Sequence, residues 1–374
     1  MTRESERTSP AARADRDYVF LRQTTSTCPE CLALVAARVV VKAGRVYFKK
    51  FCPALGASMA LVEEDASYYL NAYRFARAGT VPLRFSTEVE RGCPNDCGLC
   101  ADHEQHTCVP IIEVTDHCNL ECPVCIVDNH RSRHMPVAEF RAMIDRLVAH
   151  EGTLDAVTLS GGEPTCHPAI VELLAVARRP EIARVTLVTN GLRIAKDRAF
   201  AERLKEMGVY VILQLDGFSP ESHRRLRGRD LTAEKAAALD ALRALAIPTQ
   251  ILFVPVRGVN ESEIGDAVRL LLREEFILSL VFQPVALVGS GGAAFPQDPL
   301  DRVTVSGVIR AIAEQSGVLA PSDFFPLPCS HPHCVSLTYL LRLDDGSFRP
   351  LPRFAEVDPY LDLFRDTATI GAPE

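Results

Sequence analysis

Between Pro110 and Pro284 the chain alternates short apolar runs with amphipathic stretches. The apolar runs are bounded by turn residues and predict strands at Ile111–Thr115, Ala156–Leu159, Arg184–Thr189, Tyr210–Leu215, Thr249–Val256 and Ser279–Pro284. Between them, apolar residues recurring every three to four positions predict helices at Val137–His150, Ala169–Arg178, Arg198–Met207, Ala233–Ala246 and Ser262–Leu272. Val137, Phe140, Ile144 and Leu147 trace one such buried face. Six strands joined by helical crossovers predict an α/β fold with a parallel sheet. In βα barrels the chemistry gathers at the carboxyl ends of the strands. The segments that follow each strand are therefore the first places to look for a site.

Upstream the pattern changes. Residues 1–26 are polar, mixed in charge and read as a flexible tail with no apolar signal-peptide core. From Thr27 come C-P-E-C at Cys28–Cys31, an alternating run around Gly44, and F-C-P at Cys52. Knuckle, hairpin and returning cysteine predict a zinc-ribbon or rubredoxin-like module over residues 27–85, with Gly44 in the turn. Three thiolates are evident, and Leu55 stands where related ribbons place another ligand. Either a distant residue completes this mononuclear zinc or iron site, or the metal has been lost. Residues 66–89 read as helix and then extended chain, with Pro82 as punctuation. Residues 86–109 form a cysteine-rich loop, 110–290 the main domain, and 291–374 a carboxyl-terminal extension. Gly289–Gly292 (G-S-G-G) marks the end of the main domain.

Composition narrows the class. The 374 residues suit one large α/β domain with smaller appendages, and 47% hydrophobic content supports a substantial core. A net charge of −7 and the absence of tryptophan argue against a nucleic-acid partner. The longest apolar stretch, around Phe276–Val288, is too short and interrupted to span a bilayer. Thirteen cysteines in short spacings, without a signal peptide, point to a reducing cytoplasm and metal-bound thiolates rather than disulfides.

The densest chemical signal is T-D-H-C-N-L-E-C-P-V-C, directly after the first main-domain strand. Cys118, Cys122 and Cys125 have C-x3-C-x2-C spacing, one thiolate short of the four that usually hold an iron–sulfur cubane. The alternative is a structural zinc that recruits His117 or a remote cysteine. S-G-G-E-P at Ser160–Pro164 follows the second strand, where Gly161 and Gly162 permit close backbone approach and Glu163 can accept from an ammonium. V-T-N-G ends the third strand and Q-L-D-G the fourth, presenting Thr189, Asn190, Gln214 and Asp216. The alternative for Asn190 and Asp216 is capping of the next helix. In H-R-R-L-R-G, His223–Gly228, Arg225 or Arg227 could bind an anionic group or simply end a solvated helix. Four further cysteines, Cys93, Cys97, Cys100 and Cys108, lie just before the main domain and suggest a second iron–sulfur cluster. A zinc site with His103 or His106 is the alternative. Cys329 and Cys334 bracket His331 and His333 and also read as metal ligation, whereas Cys166 is a candidate ligand or a packed thiol.

Together these motifs resemble the radical S-adenosylmethionine enzymes. Their order along the chain, from Cys28 to Cys334, is similar to that of the class D radical methylases, which include methanogen pterin-methylase-like proteins and tetraether lipid synthases. The resemblance implies a partial (β/α)6 barrel. It implies a [4Fe-4S] cluster on Cys118, Cys122 and Cys125 whose open iron chelates S-adenosylmethionine. Gly161, Gly162 and Glu163 would then contact the methionine amine, and Thr189, Asn190, Gln214 and Asp216 the rest of that cofactor or the substrate. Also implied are auxiliary iron–sulfur clusters, an electron donor such as flavodoxin or ferredoxin, and a small-molecule or lipid substrate. The expected reaction is hydrogen abstraction from an unactivated C–H for methylation or C–C bond formation. Modification of a peptide or another metabolite, and a non-catalytic metal scaffold, are the rival readings. Three features depart from the pattern: Val124 replaces a common aromatic, Leu55 a ribbon ligand, and the lipid synthases continue further past the last cysteine pair.

Overall fold

The computed structural model describes residues 16–92, 95–96, 98–103, 105–127, 132–329 and 331–365. Two compact units divide at Ser67. The first is a four-stranded antiparallel meander of β1 (Val19–Thr27), β2 (Leu34–Lys42), β3 (Arg45–Cys52) and β4 (Gly56–Glu63). β2 and β3 are joined through Ala43 and Gly44, at φ 49° and 74°. Two consecutive positive φ values are the signature of the tight turn that suits strand twist, and Gly44 meets that demand without a Cβ. Val39, Val40, Val46 and Leu61 are almost fully buried, Val39 and Val46 on one face of the meander and Val40 and Leu61 on the other.

β1 corrects the expected tail over residues 19–26, while residues 1–15 of that tail lie outside the described residues. The polar, threonine-rich sequence of β1 resembles disordered chain, yet it pairs with β2 from Val19↔Val41 to Thr27↔Leu34. An edge strand needs little burial, and β-branched Thr and Val favour extended backbone. The unit closes at Ser67 rather than reaching Phe85. α1 (Ala66–Ala72) begins where it ends.

The second unit is built on β5 (Ile111–Thr115), β6 (Val157–Gly161), β7 (Val185–Thr189), β8 (Tyr210–Gln214), β9 (Thr249–Phe253) and β10 (Ile277–Phe282). All are parallel and lie side by side in chain order, with β5 and β10 as the edges. The crossovers are α2 (Val137–Glu151), α3 (Ile170–Ala177), α4 (Leu192–Lys196) with α5 (Arg198–Glu206), α6 (Pro220–Arg227) with α7 (Thr232–Ala244), and α8 (Ile264–Arg273). One continuous core includes Leu159, Leu187, Leu213 and Ile251 from the strands and Phe140, Leu173, Leu204 and Leu242 from the helices. This is the expected partial (β/α)6 barrel.

Among the described residues of this unit, α4, α6 and two helices beyond β10 fall outside the ranges predicted from periodicity. α6 has Ser219 as N-cap, Pro220 in its first turn and left-handed Gly228 as C-cap. After α9 (Gly289–Gly292), the extension contributes α10 (Val305–Ser316), capped by Thr304 and Gly317. α10 packs on α8 through Val308, Ile312, Ile264 and Val268. Gln315 accepts from the Gly265 amide (2.9 Å) and donates to Glu261 O (2.9 Å). The remaining strands are paired short segments: β11 (Phe325–Pro326) with β12 (Ser336–Leu337), and β13 (Leu340–Arg342) with β14 (Phe348–Pro350). Among the described residues no helix is long and apolar enough to cross a membrane.

Candidate active site

The loop after β5 carries Cys118, Cys122 and Cys125, and glycine-rich segments hold it at both ends. On one side the Gly162 amide donates to Thr115 O (2.7 Å) and the Glu163 amide to His117 O (2.8 Å). A Cβ on Gly161 would overlap Thr115 O, and one on Gly162 would lie 2.5 Å from His117 O. On the other side, the amides of Gly291 and Gly292 both donate to Cys125 O (3.1 and 2.9 Å). A Cβ on Gly291 would stand 2.6 Å from Cys122 O. Gly289–Gly292 therefore does not merely end the domain. It follows β10, at the far edge of the sheet from β5, so the sheet curves enough for the segments after its two edge strands to meet at the cysteine loop.

The three thiols are half-buried. Cys118 and Cys122 pack against Leu120, Leu192 and Leu231. Burial pushes the Cys118 thiol up to about 11, with the charge of Glu163 and the neighbouring Cys122 and Cys166 adding to the effect. Iron binding at such a site displaces a proton. The three sulfurs do not gather within 4.8 Å of one another, whereas Cys28, Cys31 and Cys52 do. A single zinc ion needs that tight grouping, with S–Zn of about 2.3 Å. The more open trio suits the larger frame of a cubane. Val124 is buried with Leu226, Val256 and Val285, which accounts for an aliphatic residue at that position.

Behind the loop runs a buried polar strip formed by the strand ends. Glu163 is the hub. Its Oε1 accepts from the Thr165 amide (3.1 Å), Thr165 Oγ1 (2.6 Å) and Thr189 Oγ1 (2.7 Å), and Oε2 accepts from the Asn190 amide (2.7 Å). Asn190 Oδ1 accepts from the Leu192 amide (3.0 Å), a local cap at α4. Its Nδ2 donates to Asn119 Oδ1 in the cysteine loop (2.7 Å). Asn190 thus caps and also ties the third strand to the loop.

Asp216 is different. Its side chain has 0% exposure and caps no helix. Oδ1 accepts from the Val254 amide (2.8 Å), and Oδ2 accepts from Arg227 Nε (2.6 Å) and from Gln214 Nε2. Both oxygens accept from groups inside the fold, and this carboxylate positions Arg227. The Asp216 side chain is thus enclosed by Arg227, Gln214 and the Val254 amide at the strand ends. Arg227 is not a solvated helix end. Burial opposes its charge, but Asp216 and the Cys122 sulfur hold the guanidinium protonated more firmly than usual. Arg225 faces outward and donates to Gly258 O (2.9 Å).

Lys235, on α7, was missed. It is 2% exposed and its Nζ donates to Asn190 O (2.7 Å), Gln214 O (2.6 Å) and Gln214 Oε1 (3.0 Å). Burial lowers its pKa to about 8, against the opposing attraction of Asp216. Asn260 was missed as well: Nδ2 donates to Asp216 O (2.6 Å) and Val254 O (2.9 Å). One signal was available. Lys235 shares its helix stripe with Ala238, Leu239 and Leu242, all buried, so it sits where an apolar residue belongs. His223 is buried too, with Nε2 3.0 Å from Gly217 O and Nδ1 accepting from the Leu231 amide (3.3 Å).

Beside the loop lies an open cavity of about 460 Å³, lined by Asn119, Thr165, Cys166, Leu192, Arg193 and Arg229 among others. Of the peripheral cysteines, Cys93 and Cys97 fall outside the described residues. Cys100 is buried and bridges Thr87. Cys108 is close enough to Cys329 for that thiol's charge to add to burial in raising its own pKa. His333 is not oriented as a metal ligand through Nε2, which lies 2.7 Å from Tyr69 O, and its ring stacks on Tyr69.

A curved six-stranded parallel sheet, a three-cysteine loop on its first strand and a G-G-E segment on its second define a radical S-adenosylmethionine enzyme, and this chain belongs to that superfamily. Residues 112–271 match the Radical SAM superfamily, and residues 20–64 match the HMPTM N-terminal zinc ribbon domain. The chain is 30% identical over 373 residues to the 7,8-dihydro-6-hydroxymethylpterin dimethyltransferase of Methanocaldococcus jannaschii, covering 92% of this chain and 73% of that one. It is 33% identical over 227 residues to the GTP 3′,8-cyclase of Syntrophomonas wolfei, over 59% of this chain and 66% of that one. SuiB of Streptococcus suis bound to S-adenosylmethionine aligns over 56% of this chain and 47% of its own, with 18% identity and a TM-score of 0.48. Membership in the methyltransferase-like branch sets aside the non-catalytic scaffold.

Proposed function

We propose that Cys118, Cys122 and Cys125 hold a [4Fe-4S] cluster that binds S-adenosylmethionine, and that the enzyme methylates an unactivated carbon of a small pterin-like heterocycle. The observation that supports this most is the cysteine loop fixed between Gly161–Glu163 and Gly291–Gly292. The bound pair of cofactors supplies reductive cleavage to methionine and a 5′-deoxyadenosyl radical able to take hydrogen from carbon. The protein supplies placement. Gly161 and Gly162 let the cysteine loop close directly against the end of β6, and Glu163 Oε2, with one internal donor, keeps acceptor capacity for an ammonium. Leu120, Leu192 and Leu231 shield the thiolate side of the loop from water. Thr189, Asn190 and Gln214 hold this wall in position. Cys93, Cys97, Cys100, Cys108, Cys329 and Cys334 are the ligand set for auxiliary iron–sulfur centres, with the proximity of Cys108 and Cys329 in support. A flavodoxin- or ferredoxin-type protein would deliver the electron. The pterin class rests on the names of the relatives.

The test is anaerobic reconstitution followed by turnover with reductant, S-adenosylmethionine and 7,8-dihydro-6-hydroxymethylpterin deuterated at its ring carbons. Deuterium in 5′-deoxyadenosine together with a methylated pterin is the expected result. Deoxyadenosine without deuterium or methylated product would overturn the pterin assignment. Full deoxyadenosine formation by Cys122→Ala would overturn the cluster assignment.

A further inference from the structure

The amino-terminal unit has two knuckles of matching design. C-P-E-C at Cys28–Cys31 follows β1, and C-P-A-L at Cys52–Leu55 follows β3. The first closes with the Leu32 amide on Cys28 O (3.1 Å), the second with the Leu55 amide on Cys52 O (3.3 Å). By spacing, Leu55 stands three residues after Cys52 as Cys31 stands three after Cys28, and each is followed by a residue at positive φ, Leu32 (59°) and Gly56 (84°). The Leu55 side chain is no packing substitute, since the residue is 48% exposed.

The three remaining thiols are set for one ion. All lie within 4.8 Å of one another, and Cys31 Sγ is 3.7 Å from Cys52 Sγ. Four sulfurs at ~2.3 Å from a tetrahedral zinc stand about 3.8 Å apart. Cys28 and Cys52 are buried beside Val35, while Cys31 is exposed, so the group opens to solvent at Cys31. Residues 1–67 contain no histidine and no other cysteine. No carboxylate joins the three sulfurs among the described residues.

We infer that this ribbon binds one zinc ion through Cys28, Cys31 and Cys52 and keeps its fourth coordination position open to an exchangeable donor from solution. Closed structural zinc sites have four protein ligands, and a three-ligand site retains a position that water or a small thiol can occupy. Three thiolates leave the zinc with one net negative charge, so a neutral or singly charged soft donor is the class it would take. The inference concerns the ribbon alone and stands apart from the reaction proposed for the barrel.

The experiment is zinc K-edge X-ray absorption on the full-length, zinc-loaded protein prepared without thiol, a readout blind to iron. Three sulfurs and one oxygen or nitrogen are expected, changing to four sulfurs on addition of 2-mercaptoethanol. Leu55→Cys should show four sulfurs without added thiol and should no longer respond to it. Cys28→Ser should lose this zinc, which separates it from metal bound elsewhere. Four sulfurs in the unsubstituted protein without thiol would overturn the inference by revealing another protein ligand. Zinc retained by Leu55→Cys but not by the unsubstituted protein would overturn it by showing that the ribbon has lost its metal.

Discussion

Arg227 Nε lies 2.6 Å from Asp216 Oδ2 in a pair whose carboxylate has no exposed surface and whose guanidinium is 11% exposed. Breaking such a pair from one side leaves a buried charge uncompensated. Asp216→Ala also leaves the Val254 amide without its acceptor. We expect it to destabilise the fold by about 3–5 kcal/mol, measured by anaerobic denaturant unfolding. A loss under 1 kcal/mol would mean that water enters the strand ends. Replacing both partners, as Asp216→Leu with Arg227→Met, should recover much of the loss.

Lys235 makes stability depend on pH in a predictable direction. Its pKa falls from 10.5 to about 8 on folding. Between those values the unfolded chain binds more protons than the native one, so stability rises with pH across that window. The contribution reaches roughly 3 kcal/mol at most. The stability difference between the unsubstituted protein and Lys235→Met, followed from pH 7 upward by thermal unfolding, should show this rise between ~8 and ~10. A flat difference would show that the amine is already neutral or is solvated.

Glu163→Gln preserves shape but places an amide where every neighbour in this polar hub is a donor. On the proposed role, S-adenosylmethionine should bind roughly 10- to 100-fold more weakly, as expected for one lost charge-assisted hydrogen bond. Equilibrium dialysis of the reconstituted protein measures this directly. Unchanged affinity would remove Glu163 from the binding site and leave it a purely structural hub.

Gly291→Ala introduces a Cβ 2.6 Å from Cys122 O and 2.8 Å from Pro123 O. Backbone cannot yield as a side-chain tip can, so the cysteine loop must shift. Iron and acid-labile sulfide retained after reconstitution should fall several-fold, while far-ultraviolet circular dichroism stays the same. Full iron content would show that the loop tolerates displacement.

The barrel was legible because its strands read as short apolar runs, and the inner strands β6 and β7 are buried on both faces. Predicted and observed strand ends agree within a few residues, from Ile111–Thr115 to Ile277–Phe282. The cysteine loop and G-G-E segment were legible because local spacing carries their chemistry. Residues whose meaning depends on distant partners were harder to read. Arg227 looks like a solvated helix end until Asp216 is placed beside it. Lys235 breaks an apolar stripe on α7, a visible anomaly, but its carbonyl partners lie on two other strands. β1 was hidden by composition, since an exposed edge strand and a disordered tail use similar residues.

The bonds from Gly291 and Gly292 to Cys125 O join chain segments from the two ends of the barrel. During synthesis, the thiols emerge first and the amides that shape their loop emerge after all six strands. On the proposed ligand assignment, a nascent chain that stops short of Gly289 carries the three thiols of the cysteine loop but lacks the amides that hold that loop in place.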